Sequence, residues 1–274
     1  MGRSGASTYC RITNPVTGAW LYKYPMLTEK IAKLNIDEKK FEQVFTPEVH
    51  RVADVLRKYG FDTRVVGGAV RDFVRGESPR DIDFATDADP SELIYIFNME
   101  GIDHDDKGIG HGTIKAVFPD GKVDVTSIAY KLELKDGKVR IIRGQDWEQD
   151  AQHRDLSINS MSIDKDGTLY DYTGGLVDLR NQRVVMMPVT QDRIKEDPHL
   201  IMRWFKALGY FDNPRWPKHD LAIIKDNMPL LLQIKDDEKT DRELSSIMRS
   251  KNGQKIMRMM CSLGADKYLG INCD

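Results

Sequence analysis

The sequence predicts an α+β fold in which a mixed sheet flanked by helices is followed by a region of helices alone. Strand and helix patterns alternate through the first part of the chain, from a strand end at Val65–Val66 to a hairpin of Thr113–Phe118 and Val123–Ile128. From about Thr190 the apolar residues recur with a helical period and continue to do so. We therefore divide the chain into an N-terminal extension (1–45), an α+β region (46–188) and a helical region (189–274).

Length and composition are those of an ordinary globular protein. The 274 residues can form one large or two modest domains, and 40% hydrophobic with 31% charged residues are typical contents. No apolar run approaches the length of a membrane span, and the N-terminus lacks a signal-peptide pattern. The three cysteines, Cys10, Cys261 and Cys273, are far apart and lack metal-ligand spacing, so we expect reduced thiols in a cytoplasmic protein.

The charge of the chain does not by itself favour a nucleic-acid partner, because the net charge is −2. Lys and Arg are nevertheless dense between Arg242 and Lys267, and Trp204, Tyr210 and Trp216 lie upstream. This segment is either a local basic patch or a set of solvated helix faces. Charge alone does not decide between the two.

Two helices are expected before the first strand. The extension has one short helical pattern near Glu29–Leu34. Thr46 is then placed to cap a helix whose first position is Pro47, and this helix ends at Gly60. Its apolar stripe should cover the sheet; the stripe consists of Val49, Val52, Ala53, Leu56 and Tyr59.

A glycine pair follows the first strand. Gly67-Gly68 opens a turn in which missing Cβ atoms let backbone N–H groups approach an anion closely. The helix that follows, about Ala69–Arg75, directs its positive end at that anion, and Gly76 ends it. Taken alone, a Gly-Gly pair is more often only a tight turn.

Two carboxylates lie on the next strand. Asp81 and Asp83 should point to the same face, with Ile82 buried behind them, because residues i and i+2 of a strand share a face. Paired carboxylates with a bound triphosphate are ligands that Mg²⁺ prefers. An isolated Asp-x-Asp is usually surface decoration or capping. Its occurrence after a strand, a glycine turn and a helix favours a metal site.

These residues resemble the signature motif of a known family. Gly67-Gly68-x-Val70-Arg71-Asp72, then Gly76, then Asp81-x-Asp83 are similar to the motif of the class II nucleotidyltransferases of the polymerase β superfamily. This family comprises tRNA CCA-adding enzymes and related bacterial poly(A) polymerases. The resemblance implies a polymerase β-like head with a mixed sheet, an all-helical neck and a truncated body. It also implies two Mg²⁺ ions on Asp81 and Asp83, and a triphosphate held by Gly67, Gly68 and Arg71, with Asp72 beside them.

Three later segments extend the resemblance. Asp124, in Val-Asp-Val-Thr-Ser, stands where relatives carry a third catalytic carboxylate, although a lone strand Asp is more often solvated. His153-Arg154-Asp155-Leu-Ser-Ile-Asn159 is similar to the family's Arg-Arg-Asp-Phe-Thr-Ile-Asn. The resemblance assigns Arg154, Asp155 and Asn159 to the ribose and phosphates of the incoming nucleotide; taken alone, Arg-Asp is more often a salt bridge. We interpret His153 as a spacer, and Asp171 with Gly174-Gly175 as a structural joint before a short helix.

The helical region begins with a motif that departs from the family. Glu196-Asp197-x-x-Leu200-x-x-Arg203 is similar to Glu-Asp-x-x-Arg-x-x-Arg, with Leu200 in place of the first Arg. The resemblance implies that Asp197 reads the base and that Arg203 binds the nucleotide. Because Leu200 cannot donate a hydrogen bond, we expect looser discrimination against GTP. The alternative is that Leu200 packs in the neck and another residue reads the base.

The resemblance implies an enzyme that adds CMP and AMP from CTP and ATP to the 3′ end of RNA, in particular tRNA, with release of pyrophosphate. One alternative is a poly(A) polymerase-type adenylyltransferase, and another is a non-catalytic RNA-binding relative. A polar hairpin at Lys131–Ile142 departs from the family pattern. We expect no membrane association, weak binding of RNA through a shortened body, and a second copy or a partner protein that supplies the missing RNA-binding surface.

Overall fold

The computed structural model of the chain describes residues 10–13, 20–23, 30–31, 38–79, 82–128, 130–135, 138–143, 146–187 and 191–273. Side chains are described within 38–79, 82–128, 146–187 and 191–273. Asp81, a predicted metal ligand, lies outside the described residues.

The strands fall into one large sheet and two separate hairpins. They are β1 (Cys10–Thr13), β2 (Trp20–Lys23), β3 (Lys30–Ile31), β4 (Thr63–Val66), β5 (Asp83–Thr86), β6 (Asp103–Asp105), β7 (Thr113–Phe118), β8 (Gly121–Ser127), β9 (Tyr130–Lys135), β10 (Lys138–Arg143), β11 (Ser162–Asp164) and β12 (Leu169–Tyr170). The eight-stranded sheet has the order β3-β12-β11-β4-β5-β8-β7-β6. Its β5–β8 pair is parallel and its other pairs are antiparallel, so the predicted mixed sheet is confirmed.

Helices flank the sheet and make up the regular structure described after residue 190. They are α1 (Glu38–Val44), α2 (Pro47–Lys58), α3 (Gly68–Val74), α4 (Pro90–Met99), α5 (Trp147–His153), α6 (Gly175–Arg180), α7 (Gln191–Glu196), α8 (His199–Leu208), α9 (Lys218–Asn227), α10 (Glu238–Arg249), α11 (Gly253–Ser262) and α12 (Asp266–Leu269). Short 3₁₀ turns occur at Ile109–His111, Ser157–Asn159 and Met228–Gln233. No described helix is long and apolar enough to cross a membrane.

Local signals in the sequence set several boundaries correctly. Thr46 caps α2 by accepting a hydrogen bond from Val49 N–H, and Pro47 is its first residue. Helix α4 begins with a capping box in which Asp89 and Glu92 exchange side-chain and backbone hydrogen bonds. Gly76, with φ of 74°, follows the end of α3 in a left-handed conformation that favours glycine.

The two faces of the large sheet differ. On one face, Val65, Phe84 and Val125 are buried in a continuous core that includes Leu56 of α2 and Leu93 of α4. On the other face, Val66, Ala85 and Ile128 form a separate small cluster against which Trp147 packs. The first face is thus covered by helices, and the second carries the polar residues of the site below.

The predicted burial of Ile82 is wrong, because Ile82 is 37% exposed. Strand β5 begins one residue later, at Asp83, which pairs with Val66 at the end of β4. After Val66 the chain turns away at Gly67, so Ile82 has no β4 residue opposite it. The period-2 argument fails here because the strand is shorter than the pattern.

The helix predicted near Glu29–Leu34 is also wrong at Lys30 and Ile31, which form β3 and pair with Tyr170 and Leu169. The remaining residues of that range lie outside the described part. Pairing with a strand far along the chain outweighs a weak local helical pattern. The predicted boundary of the extension at residue 45 stays a prediction.

The expectation of reduced thiols is wrong for two of the three cysteines. Cys261 and Cys273 form a disulfide bond, with their Cα atoms 5.9 Å apart. The chain reverses at Gly264 and Gly270, whose φ values are 88° and 66°, and this brings the segment after α12 back to α11. Linear spacing could not show this pairing, because it depends on these two turns.

A buried carboxylate ties α9 to the segment after α6. Asp220 is 2% exposed, and its Oδ2 accepts a hydrogen bond of 2.9 Å from Met186 N–H. Burial raises the pKa of Asp220 to about 6. The protonated form is therefore favoured in the folded protein well above the usual value near 3.8.

We predict that Asp220→Asn stabilises the protein at neutral pH. The folded state binds the Asp220 proton more tightly than the unfolded state, so this group lowers stability as pH rises from about 4 to about 6. Asn keeps an acceptor for Met186 N–H and removes the titration. At pH 7.5 the free energy of unfolding should rise by up to about 3 kcal/mol, measured by urea unfolding.

The matched control is Asp226→Asn, on an exposed position of the same helix. Its difference from wild type should not change between pH 5 and pH 7.5. If the Asp220→Asn and wild-type stabilities also run parallel over that range, burial does not shift the Asp220 pKa as described.

Candidate active site

The glycine turn places two charged side chains beside the backbone. Gly67 has φ of 77° and ψ of −141°, a conformation open to glycine, and α3 starts at Gly68. A Cβ atom at Gly67 would lie 3.5 Å from Asp83 Oδ2 and 3.8 Å from Arg154 Nη1. A carboxylate and a guanidinium group thus both lie close to the Gly67 turn. The motif predicts this proximity for Gly67 and Asp83.

Asp83 and Asp124 are neighbours on the polar face of the sheet. The parallel register sets Phe84 opposite Val125, and this register continued by one residue brings Asp83 beside Asp124. The Asp124 side chain is 56% exposed, and its Oδ1 lies 3.3 Å from Lys115 Nζ. Asp124 is therefore solvated and also lies beside the site, because this face of the sheet is open.

The donor set around Asp83 fits a hard divalent cation in part. Asp83 is exposed, and no hydrogen bond or ion pair from another described residue reaches its carboxylate. Carboxylates in this state are ligands suited to Mg²⁺. The described residues contain no group of three or more potential metal ligands, and Asp81 is not among them. The role of Asp81 and Asp83 as ligands stays a prediction.

Arg71 is buried beneath the glycine turn at 7% exposure. Its Nε and Nη2 lie 2.9 Å and 2.8 Å from Asp72 Oδ1, and its Nη1 donates to Asn159 Oδ1 at 2.8 Å. The guanidinium group stacks on the Tyr210 ring, 4.0 Å from its centroid. A Cβ atom at Gly68 would lie 3.3 Å from Arg71 Nη2, so Arg71 braces the start of α3.

A second arginine joins the sheet region to α8. Arg203 Nε lies 3.3 Å from Asp155 Oδ2, and Arg203 Nη2 contacts Asp197 Oδ2. Asp155 Oδ1 is 3.3 Å from Asn159 Nδ2, which donates to it. These contacts form a continuous network, which we call the arginine relay. It comprises Arg71, Asn159, Asp155, Arg203 and Asp197.

Leu200 does not face this network. It is 3% exposed and belongs to the main core, as the packing alternative expects. Asp197 has both carboxylate oxygens engaged, one by Arg203 and the other by His199 N–H at 3.1 Å. An Arg at position 200 would bury a charge among apolar residues, so such a variant would change stability as well as recognition.

Arg154 makes a salt bridge, but with Asp150 and not with its motif neighbour Asp155. Its Nε and Nη2 donate to Asp150 Oδ2 at 3.0 Å and 2.8 Å. Its Nη1, by contrast, points to Gly67. His153 is exposed, and its Nδ1 lies 2.7 Å from Gln149 O, a local contact consistent with a spacer.

Several residues that surround the site were not predicted. Arg193 donates to Met187 O at 2.6 Å and to His153 O, and burial lowers its pKa. Tyr210 follows the end of α8, and its distance in sequence from Arg71 hid their contact. A cleft of about 360 Å³ opens beside Asp83 and Arg154. Two further residues of its lining could have been found from strand alternation, because Thr126 alternates with Asp124 along β8 and Ala85 with Asp83 along β5.

Comparisons with known proteins identify the family of the chain. Residues 63–185 match the family model of the poly(A) polymerase head domain. The chain is 33% identical over 244 residues to the mitochondrial CCA tRNA nucleotidyltransferase 1 of Danio rerio, covering 88% of this chain and 56% of the relative. It is 33% identical over 218 residues to the CCA-adding enzyme of Bacillus licheniformis, covering 78% of this chain and 53% of the relative.

The structural comparison gives the same family. The crystal structure of the Bacillus stearothermophilus CCA-adding enzyme in complex with CTP matches with a TM-score of 0.68 and 26% identity, covering 84% of this chain and 54% of that chain. The chain spans about half the length of the curated relatives it matches. It belongs to the class II nucleotidyltransferases of the polymerase β superfamily, the family of the CCA-adding enzymes, whose poly(A) polymerase-type head it carries.

Proposed function

We propose that the protein adds CMP and AMP from CTP and ATP to the 3′ end of tRNA, in CCA addition or repair, and releases pyrophosphate. The observation that carries the proposal is that Asp83 Oδ2 and Arg154 Nη1 each lie within about 4 Å of the position of a Cβ at Gly67, in a chain of this family. The names of the relatives support the same reaction.

In this reaction the protein supplies mainly position and charge. Backbone N–H groups of Gly67 and Gly68 approach the triphosphate, and Arg154 Nη1 lies close enough to the turn to reach it. Asp83 and Asp81 would hold Mg²⁺, two ions in our proposal. Mg²⁺ held there would supply positive charge near the phosphates and lower the pKa of the attacking hydroxyl. Asp124, fixed near Lys115, orients the acceptor hydroxyl.

The arginine relay positions the nucleoside part of the substrate. Asp155 and Asn159 face the ribose, and Asp197 with Arg203 faces the base. Cytosine and adenine both present an exocyclic amine beside a ring acceptor, whereas uracil presents a carbonyl where the amine should be. Asp197 can accept from that amine through a remaining lone pair, and Arg203 has further N–H groups for the ring acceptor.

Product length separates this proposal from two others. Wild-type protein is incubated with Mg²⁺, labelled CTP and ATP, and tRNA that lacks its terminal CCA. Extension by C, C and A supports the proposal. A long adenylate tail indicates the poly(A) polymerase-type reaction, which the matched head domain also allows. No extension indicates a non-catalytic RNA-binding relative.

The proposal also covers the cellular compartment of the reaction and the assembly of the protein. We place the reaction in the cytoplasm, although the Danio rerio relative is a mitochondrial enzyme. A second copy or a partner protein adds surface for the RNA, and light scattering with and without tRNA tests the second copy directly.

We predict that Asp83→Asn abolishes nucleotide addition and leaves the fold intact. The change removes a ligand charge from an exposed position at the strand start, so the core is not affected. We expect kcat to fall by at least about 100-fold at saturating Mg²⁺, with the thermal midpoint unchanged. Initial rates with labelled CTP measure it, and Asp226→Asn is the matched surface control. Turnover near the wild-type rate would refute the metal assignment.

We predict that Tyr210 is a positioning residue for Arg71. Tyr210→Leu removes the ring under the guanidinium group, whereas Tyr210→Phe keeps it. A cation–π contact of about 0.5–2 kcal/mol implies a rise in KM for CTP of roughly 2- to 30-fold in Tyr210→Leu. KM for tRNA should stay unchanged, and Tyr210→Phe should restore wild-type values. Equal defects in the two variants would show that the ring is not what matters.

A further inference from the structure

A histidine at the start of α8 has polar neighbours that the proposed reaction does not use. His199 is 8% exposed and occupies an unspecified position of the Glu196-Asp197-x-x-Leu200 motif. Its Nε2 lies 3.0 Å from Asp237 Oδ2, and its Nδ1 lies 3.6 Å from Glu243 Oε2. Asp237 caps α10 and Glu243 lies within it, so the imidazole ring joins the first turn of α8 to α10.

The contact with Asp237 determines which nitrogen of the ring carries a hydrogen. The Asp237 carboxylate accepts a hydrogen bond of 3.0 Å from Lys239 N–H, and this bond together with the His199 contact lowers the pKa of Asp237. An ionised carboxylate can only accept, so His199 Nε2 donates to it. In a neutral imidazole the other nitrogen, Nδ1, is then an acceptor. A neutral His199 therefore presents a lone pair to Glu243.

The two facing atoms, His199 Nδ1 and Glu243 Oε2, are both buried, and neither hydrogen bonds to another described residue. Burial raises the pKa of the Glu243 carboxyl. Nearby positive groups reduce this rise; they are His199, Lys206, Arg203 and Lys239.

An ionised Glu243 opposite that lone pair would bring two buried acceptors together, which is unfavourable. One proton between His199 and Glu243 removes the conflict. The pair is then either imidazolium with carboxylate or imidazole with carboxylic acid, and it titrates as a unit.

The first turn of α8 also holds the carboxylate that we assign to the base. Asp197 Oδ1 accepts a hydrogen bond of 3.1 Å from His199 N–H, and Asp197 Oδ2 contacts Arg203 Nη2. Both donors belong to α8. A shift of its first turn would therefore displace both contacts of Asp197.

We propose that His199 is a positioning residue for Asp197, and that one proton held between His199 Nδ1 and Glu243 Oε2 fastens the first turn of α8 to α10. When this proton is lost to solvent as pH rises, the contact weakens and Asp197 is held less firmly. This inference rests on the proposed function, in which Asp197 reads the base.

The first test compares wild type with Glu243→Gln between pH 6.5 and pH 9. The amide of Gln can donate to His199 Nδ1 without a titrating proton. We expect the ratio of the wild-type to the variant KM for CTP to rise at least about 5-fold across this range, the loss of one buried hydrogen bond. Taking the ratio at each pH cancels the titration of CTP itself. A ratio that stays constant would overturn the proposal.

The second test replaces the ring. His199→Phe keeps a ring of similar size but removes both nitrogens, so KM for CTP should rise at least about 5-fold at every pH while kcat stays within about 2-fold of wild type. The matched control is Asp241→Asn, on an exposed position of α10, which should follow wild type at each pH. Wild-type KM values for CTP in His199→Phe would show that the imidazole does not position Asp197.

A measurement without turnover detects the proton directly. In the ¹⁵N spectrum of the imidazole groups, where His199→Phe identifies the signal, His199 Nδ1 should change from a protonated or hydrogen-bonded state to a free acceptor as pH rises to 9. Glu243→Gln should remove this change, and a wild-type signal that does not change would overturn the proposal. If the signal changes as expected but no tRNA is extended, the proposed function fails and the shared proton stands. If tRNA is extended and the KM ratio stays constant, this inference fails alone.

Discussion

The ion pair between Asp155 and Arg203 is the interaction on which the geometry of the site depends. Asp155 belongs to the segment between α5 and β11, and Arg203 belongs to α8. Both side chains are partly buried, at 20% and 29% exposure, where an ion pair is screened less than on an open surface, although Arg203 Nε makes no hydrogen bond among the described residues. Through Asn159 and Arg71 this pair connects the glycine turn to the helix that carries Asp197. The stacking of Arg71 on Tyr210 is a second link between α3 and the segment that follows α8.

The second constraint is the alternation of residues along β5 and β8. Phe84 and Val125 lie in the core beneath the helices, while Asp83, Ala85 and Thr126 face the cleft. Because adjacent residues of a strand point to opposite faces, the same short segments anchor the sheet and present the polar groups. The carboxylates are therefore held by some of the best-packed strands of the molecule, as a reaction that depends on position requires.

The features that were predicted correctly from the sequence are those determined by residues close together in the chain. The Gly67 turn, the Gly76 stop, the Thr46 cap and the hairpin at β7 and β8 each depend on residues a few positions apart. The errors have a different origin. Lys30 and Ile31 form a strand because β12 lies beside them, and Cys261 reaches Cys273 because two glycine turns reverse the chain. The contact of Arg71 with Tyr210 likewise depends on the packing of α8, which local patterns do not encode.

The charge balance of the site sets a condition on the proposed reaction, in which a chain with a net charge of −2 would bind an anionic substrate. Arg71, Arg154 and Arg203 are each bound to an aspartate, so these guanidinium groups are oriented by protein carboxylates. Asp83 adds negative charge that no described residue neutralises. A triphosphate and an RNA end would be repelled by such a site unless cations entered with them. In the proposed reaction the arginines would therefore orient the substrate, and bound cations would supply the positive charge.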